Sequence, residues 1–224
     1  MSIDSARITH TPGPVLTGGD RGPYGPLVWQ RTDIVGTELV FQSGTEPRTV
    51  TGCSVVAGVL PHTTRFHAEI DTGYAVSALT VTCAGADWSR ELRMSRDQDG
   101  GWSCRTAESG DFGRSAAHSG HPAPLPGIDD PDRLTGARVL RLADSPIFVT
   151  WALRHLHLAA GEPSKVAPTI RVLTPSLVVE PARSAYQLVS EHRLRISGGE
   201  RPTTYELDRG GLVLAQPARL RLAR

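Results

Sequence analysis

What constrains this chain most is its punctuation. Gly and Pro recur from end to end, 23 and 17 among 224 residues, and they divide the sequence into short runs. Most of those runs alternate apolar with polar residues, the period-two pattern of half-buried strands. "GYAVSALTVTCAG" is the clearest case: Ala75, Ser77, Leu79, Val81 and Cys83 fall on one face, Tyr74, Val76, Ala78, Thr80 and Thr82 on the other. "GTELVFQ", "VTGCSVVAGVL" and "HTTRFHAEID" precede it as further strands, and "SRELRMSRDQDGGWSCR" predicts a hairpin about Asp99-Gly100-Gly101. After residue 135 the same signals return in "ARVLRLAD", "TIRVLTPSLVVEP", "SAYQLVSEHRLRIS", "TTYELD" and "GLVLAQPARLRLAR", with turns at Gly198-Gly199 and Arg209-Gly210-Gly211. About a dozen strands fit, which predicts an all-β fold, a large antiparallel sheet rolled into a half-barrel.

Two segments stand outside this pattern. Residues 1–26, with "TPGPVLTGGDRGPYGP", read as a flexible Pro/Gly-rich arm. Residues 105–135 read as a polar loop insert within a single domain over 27–224. The two halves carry a faint echo, each running from a Tyr-led strand through charged alternation to a Gly-Gly turn, which alone does not establish a duplication.

The formal net charge of +1 offers no electrostatic footprint for nucleic acid, and no apolar run is long enough to span a membrane. No export signal precedes the first strand, so a cytoplasmic location is expected. Cys53, Cys83 and Cys104 are odd in number and irregular in spacing, as reduced thiols would be. Gly-x-Ser-x-Gly, dinucleotide and phosphate-loop motifs are absent, so the corresponding hydrolase and nucleotide functions lack support.

The most informative chemistry lies in "SPIFVTWALRHLHL", residues 145–158. Gly161 and Pro163 would suit a helix end, but the β-branched and aromatic residues Val149, Thr150 and Trp151 favour a strand. As a strand it would put Ile147, Val149, Trp151, Leu153, His155 and His157 on one face, and Arg154 with Leu156 on the other. The expected ligand site is then Trp151, Leu153, Arg154, His155, His157, Tyr186 and Tyr205 around a concave apolar groove, an apolar tail buried along it and Arg and His at its mouth. A catalytic alternative uses the same groove without a cofactor, as a cyclase or isomerase of specialised metabolism. His155 or His157 would be its acid/base, with Asp208, Glu206 or Glu69 as partner. A third reading, a cupin-like metal enzyme, draws on the i, i+2 pairs His155/His157 and His67/Glu69 and on Glu162. The motif's flanking glycines and its second His motif are missing, so no metal is expected. The bland reading is two histidines at a strand end, hydrogen-bonded or solvated.

Taken together, these segments resemble the glycolipid-binding family, bacterial proteins of unknown exact function. The match is best at Asp208, Gly211-Leu212-Val213, Pro217 and Arg221, and at "VLTPSLVVEPARSAYQL" leading to Tyr186. Pro146, Arg154, His155 and Leu156 correspond to the family's Thr-Pro segment with its basic pair, and Trp29, Tyr74, Trp88 and Trp102 fall in matching order. The resemblance implies a spiralled antiparallel β-roll with an apolar groove for a hydrophobic or amphipathic, glycolipid-like small molecule; a homodimer stays open. The chain departs from the family at Gly136–Arg141, which carries no acidic residue where the family alternates them, and at an Asn for which only Thr150 lies nearby. If those groups define the family's ligand, this protein binds something different.

Overall fold

The computed structural model describes residues 25–43, 48–199 and 201–223. The N-terminal arm read over 1–26 therefore lies outside the described residues, apart from Gly25 and Pro26.

Fourteen strands form one sheet. The first seven are β1 (Leu27–Arg31), β2 (Val35–Gln42), β3 (Arg48–Ala57), β4 (His62–Ile70), β5 (Val76–Ala84), β6 (Trp88–Arg96) and β7 (Trp102–Gly110). The second seven are β8 (Val139–Leu142), β9 (Lys165–Leu173), β10 (Val178–Ser190), β11 (Arg193–Ser197), β12 (Thr203–Leu207), β13 (Val213–Gln216) and β14 (Leu220–Leu222). Their spatial order runs from β7 down to β1, then from β14 down to β8. Each half is thus a meander, and the halves join where β1 pairs with β14, Trp29 opposite Leu222. Every pairing is antiparallel except β8 with β9, which are parallel because α2 (Pro146–His155) crosses between them. The rolled, open, nearly all-antiparallel sheet is the half-barrel that the alternation predicts. The faint sequence echo matches β5–β7 to β10–β12, out of step with the seven-by-seven division, so the topology does not support it.

Alternation sets the inner face. In β4, Thr64, Phe66, Ala68 and Ile70 are buried while Arg65, His67 and Glu69 are exposed. Their ladder partners Leu79, Val81 and Cys83 in β5, and Leu92 and Met94 across from them in β6, extend the same apolar surface. Gly52 belongs to this face too: a Cβ there would lie 2.3 Å from the Phe66 ring, so the glycine makes room for it.

Two elements differ from the sequence-based expectation. Residues 146–155 form a helix and not a strand. Pro146 occupies the first turn, where its missing N–H costs nothing, and Pro146 through Leu153 are all buried. A run that is apolar at every position fits either period, and here burial on all sides selects the helix. The 105–135 insert begins later than its composition suggests: Arg105–Gly110 complete β7 opposite Trp88–Arg93. The rest folds into α1 (Phe112–His118) and a 3-10 turn at Pro131–Leu134. Buried Arg90 anchors the segment, donating to the Pro124 and Ser176 carbonyls and pairing with Glu108.

Helix α2 fills much of the roll. Phe148 and Trp151 join the larger core, which gathers the inner residues of β1–β7 with Leu142, Ile170, Val172 and Val179 of the second half; their rings are edge-on to each other at 4.8 Å, with Phe148 at 5.3 Å from Phe66. Val149, Ala152 and Leu153 join the core of the second half with Tyr186, Leu194, Tyr205 and Leu207. Thr150 accepts a hydrogen bond from the Val213 N–H and fixes the helix to β13.

Candidate functional site

The helix disperses the residues that a strand would have aligned. Trp151 and Leu153 are buried in different cores. Arg154 lies over the Tyr74 ring at 5.2 Å and donates to the Gly210 carbonyl. His155 bonds through Nδ1 to the Gly73 carbonyl at 2.8 Å. His157 is exposed, in a left-handed conformation (φ 46°) beyond the helix end. Asp208 accepts from the Gly210 and Leu212 N–H groups and so shapes the β12–β13 turn. His67, Glu69 and Glu206 are exposed on outward-facing strand positions. The shared face proposed for His155 and His157 does not exist, which removes the geometric premise of the metal reading. Among the described residues no three His, Cys, Asp or Glu side chains gather as metal ligands.

Tyr186 and Tyr205 do lie together. Their strands present one surface: Arg141 of β8, Arg171 of β9, Glu180 and Ser184 of β10, Ile196 of β11, Thr203 and Tyr205 of β12. With the start of α2 and the β13–β14 turn, these residues line an open groove of about 620 Å³. Tyr205 accepts a hydrogen bond from Arg141 at 3.0 Å. Tyr186, fully buried, shares a hydrogen bond with Thr169 at 3.1 Å, and burial pushes its hydroxyl pKa up. The open part of this groove is polar, because α2 already covers the apolar part of the inner face.

At its inner end the groove meets a ring of four charges. Asp144 takes Arg31 at 2.9 Å and Arg219 at 2.6 Å, and Asp33 takes the same two arginines at 2.7 and 3.4 Å. The Arg31 hydrogen bonds hold Asp33 down at about 2, and Asp33 in turn raises Arg31. The ring ties the β1–β2 turn, the β8–α2 connection and the β13–β14 turn.

Behind it lies a cavity of about 20 Å³, room for one water. Leu142–Ser145 and Leu220 border both it and the groove. Glu38 lines the cavity, and burial pushes its carboxyl up to about 8. The Ser145 hydroxyl beside it favours the charged form, yet neither Glu38 Oε2 nor Ser145 Oγ forms a well-aligned hydrogen bond. His62, across the cavity, bonds through Nδ1 to the Leu60 carbonyl, and burial lowers its pKa. Glu38 is the residue sequence reasoning missed. Its one signal was a carboxylate on the inward phase of "GTELVFQ", in step with Val40.

The described residues form an open, mostly antiparallel roll whose second half carries a sizeable groove, and this architecture defines the class as a β-roll. The family described as "Putative glycolipid-binding" matches residues 26–221, and the chain belongs to that family. A crystal structure of a DUF1089 family protein from Pseudomonas aeruginosa shares the fold, with TM-score 0.59 and 17% identity over 80% of this chain and 89% of that one. No curated protein matches the sequence.

Proposed function

We propose that this protein binds a glycolipid-like amphiphile, with the polar head seated in the groove of β8–β14. The observation that carries this reading is the groove itself. Its 620 Å³ falls within the range of about 300–1,000 Å³ usual for small-molecule sites. Its lining of hydroxyls and fixed polar groups on Tyr205, Ser184 and Thr203 suits a polyhydroxylated head. The family description points the same way. Two measurements test it. Native mass spectrometry of the purified protein should show an adduct of a few hundred daltons that denaturation removes. Calorimetric titration with a short-chain alkyl glycoside should show binding that Thr203→Trp, which fills the groove, abolishes. Failure of both ends the reading.

A second reading, proton transfer on the bound ligand, is favoured by Glu38, a carboxyl with an unpartnered oxygen behind the groove wall. A protonated Glu38 would be the acid there, in place of His155 or His157. Glu38→Gln should then remove turnover of a natural ligand while leaving its binding intact.

A further inference from the structure

Three features bear on what the groove accepts, and all three concern charge. The first is a row across three strands. Arg141 stands beside Arg171 in the parallel β8–β9 ladder, and Arg171 stands opposite Glu180 in β10. Glu180 pairs with Arg171 at 3.5 Å. Arg141 has no acidic partner among the described residues; its side chain makes one hydrogen bond, to the neutral Tyr205 hydroxyl. Two like charges side by side in a ladder destabilise each other unless an anion answers them.

The second feature is the remaining charge of the lining. Asp144 is already shared by Arg31 and Arg219. Setting that neutral ring and the Arg171–Glu180 pair aside leaves Arg141 on the floor and Arg201 on the exposed rim. Among the described residues no further lining acid remains to neutralise them.

The third feature is the start of α2. Ser145 precedes the helix but makes no capping hydrogen bond; its hydroxyl, in a residue only 5% exposed, lies beside Glu38 without a well-aligned bond, so the first turn of α2 has no side-chain cap. Ser145 and Pro146 border the groove. The start of α2, its positive end, therefore borders the same groove as the Arg141 guanidinium.

We infer that the groove takes an anionic head group, a phosphate or carboxylate bound by the Arg141 guanidinium, so that the ligand is an acidic amphiphile and not a neutral one. The inference rests on the groove-binding reading above and narrows it. A planar guanidinium held by a tyrosine hydroxyl can offer two parallel N–H donors to such an oxyanion. Arg201 at the rim adds attraction along the entry path, and this part is screened by salt.

Calorimetric titrations of the intact protein with four probes test the inference: octyl phosphate, octyl glucoside, glucose 6-phosphate and inorganic phosphate. Octyl phosphate is expected to bind at least about tenfold more tightly than octyl glucoside. Arg141→Gln should erase that difference by weakening octyl phosphate binding far more than octyl glucoside binding. Arg141→Lys, which keeps the charge and loses the fork, should restore part of it. Equal binding of octyl phosphate and octyl glucoside, or selectivity that survives Arg141→Gln, overturns the anionic assignment and leaves the glycolipid reading standing. Absence of binding by all four probes overturns both. Inorganic phosphate binding as tightly as octyl phosphate upholds the anion site and overturns the amphiphile, since the tail then contributes nothing.

Discussion

The two seven-stranded halves follow the same recipe of short alternating strands, yet they dispose of their inner faces differently. In β1–β7 the inner positions are mostly apolar; Phe66, Leu79, Val81 and Leu92 share one core with Phe148 and Trp151 of α2, and Phe66 meets Phe148 edge-on. In β8–β14 one face of β8–β10 (Leu140, Ile170, Val172, Val179) joins that larger core, and the groove face is apolar where Leu194, Tyr205, Leu207 and Val213 share a core with Val149 and Leu153 of the helix. Beyond that contact it turns to Arg141, Arg171, Glu180 and Ser184, and the roll stays open. One helix thus packs into both cores and leaves the polar stretch of the second half uncovered. The groove lies in the second half, because its polar face has no helix to cover it and is left to solvent.

If that contrast is right, the largest loss of stability comes from the closed half. Phe148→Ala removes a fully buried ring packed edge-on between Phe66 and Trp151. It should cost about 3–5 kcal/mol, seen as a large fall in the denaturant midpoint. Gly52→Ala attacks the same half by overfilling it. Phe66 cannot swing aside easily, being held by Phe148, so a loss of about 1–3 kcal/mol is expected in the same assay.

Glu38 sharpens the comparison at the seam. Its carboxyl titrates at about 8 in the folded chain against 4.5 for the free group. The folded state therefore holds its proton where the unfolded state has lost it. Stability from this group is full below pH 4.5, declines as pH rises toward about 8, and levels off above. Glu38→Gln should flatten that decline and raise stability at pH 8, read from melts across the range. A parent protein equally stable at pH 5 and pH 8 would count against a neutral, buried Glu38.

The smallest effects belong to the helix end. His157→Ala should change stability by less than about 0.5 kcal/mol and leave octyl phosphate binding unaltered, because His157 is exposed and lines no part of the groove. A loss of affinity in this variant would move the site back toward α2's C-terminus.

The sheet was legible because alternation is a local signal: Thr64, Phe66 and Ala68 point inward for the same reason that Arg65 and His67 do not. The helix was less so. In "PIFVTWAL" every position is buried, so periodicity carries no information, and the β propensity of Val149, Thr150 and Trp151 outweighed the one useful cue, Pro146 at the first turn. That misreading scattered the expected His155/His157 face. Tyr186 and Tyr205 were reachable from pattern, whereas the meeting of Arg141 with Tyr205 across 64 residues depends on strand order, which no local signal encodes.

The pairing of β1 with β14 carries one further consequence. Within each half, strands next in space are next in sequence, so most of the sheet forms from neighbouring hairpins. Trp29 opposite Leu222 instead closes a loop comprising nearly the whole described chain. Loop-closure entropy delays such contacts relative to local ones. The rate-limiting event in folding is then expected to be the zipping of the two halves of the sheet along this central seam. Until that happens β1 and β14 are exposed edges, able to recruit each other from neighbouring molecules, so concentrated refolding should favour strand exchange at the centre of the sheet over pairing at its outer rims.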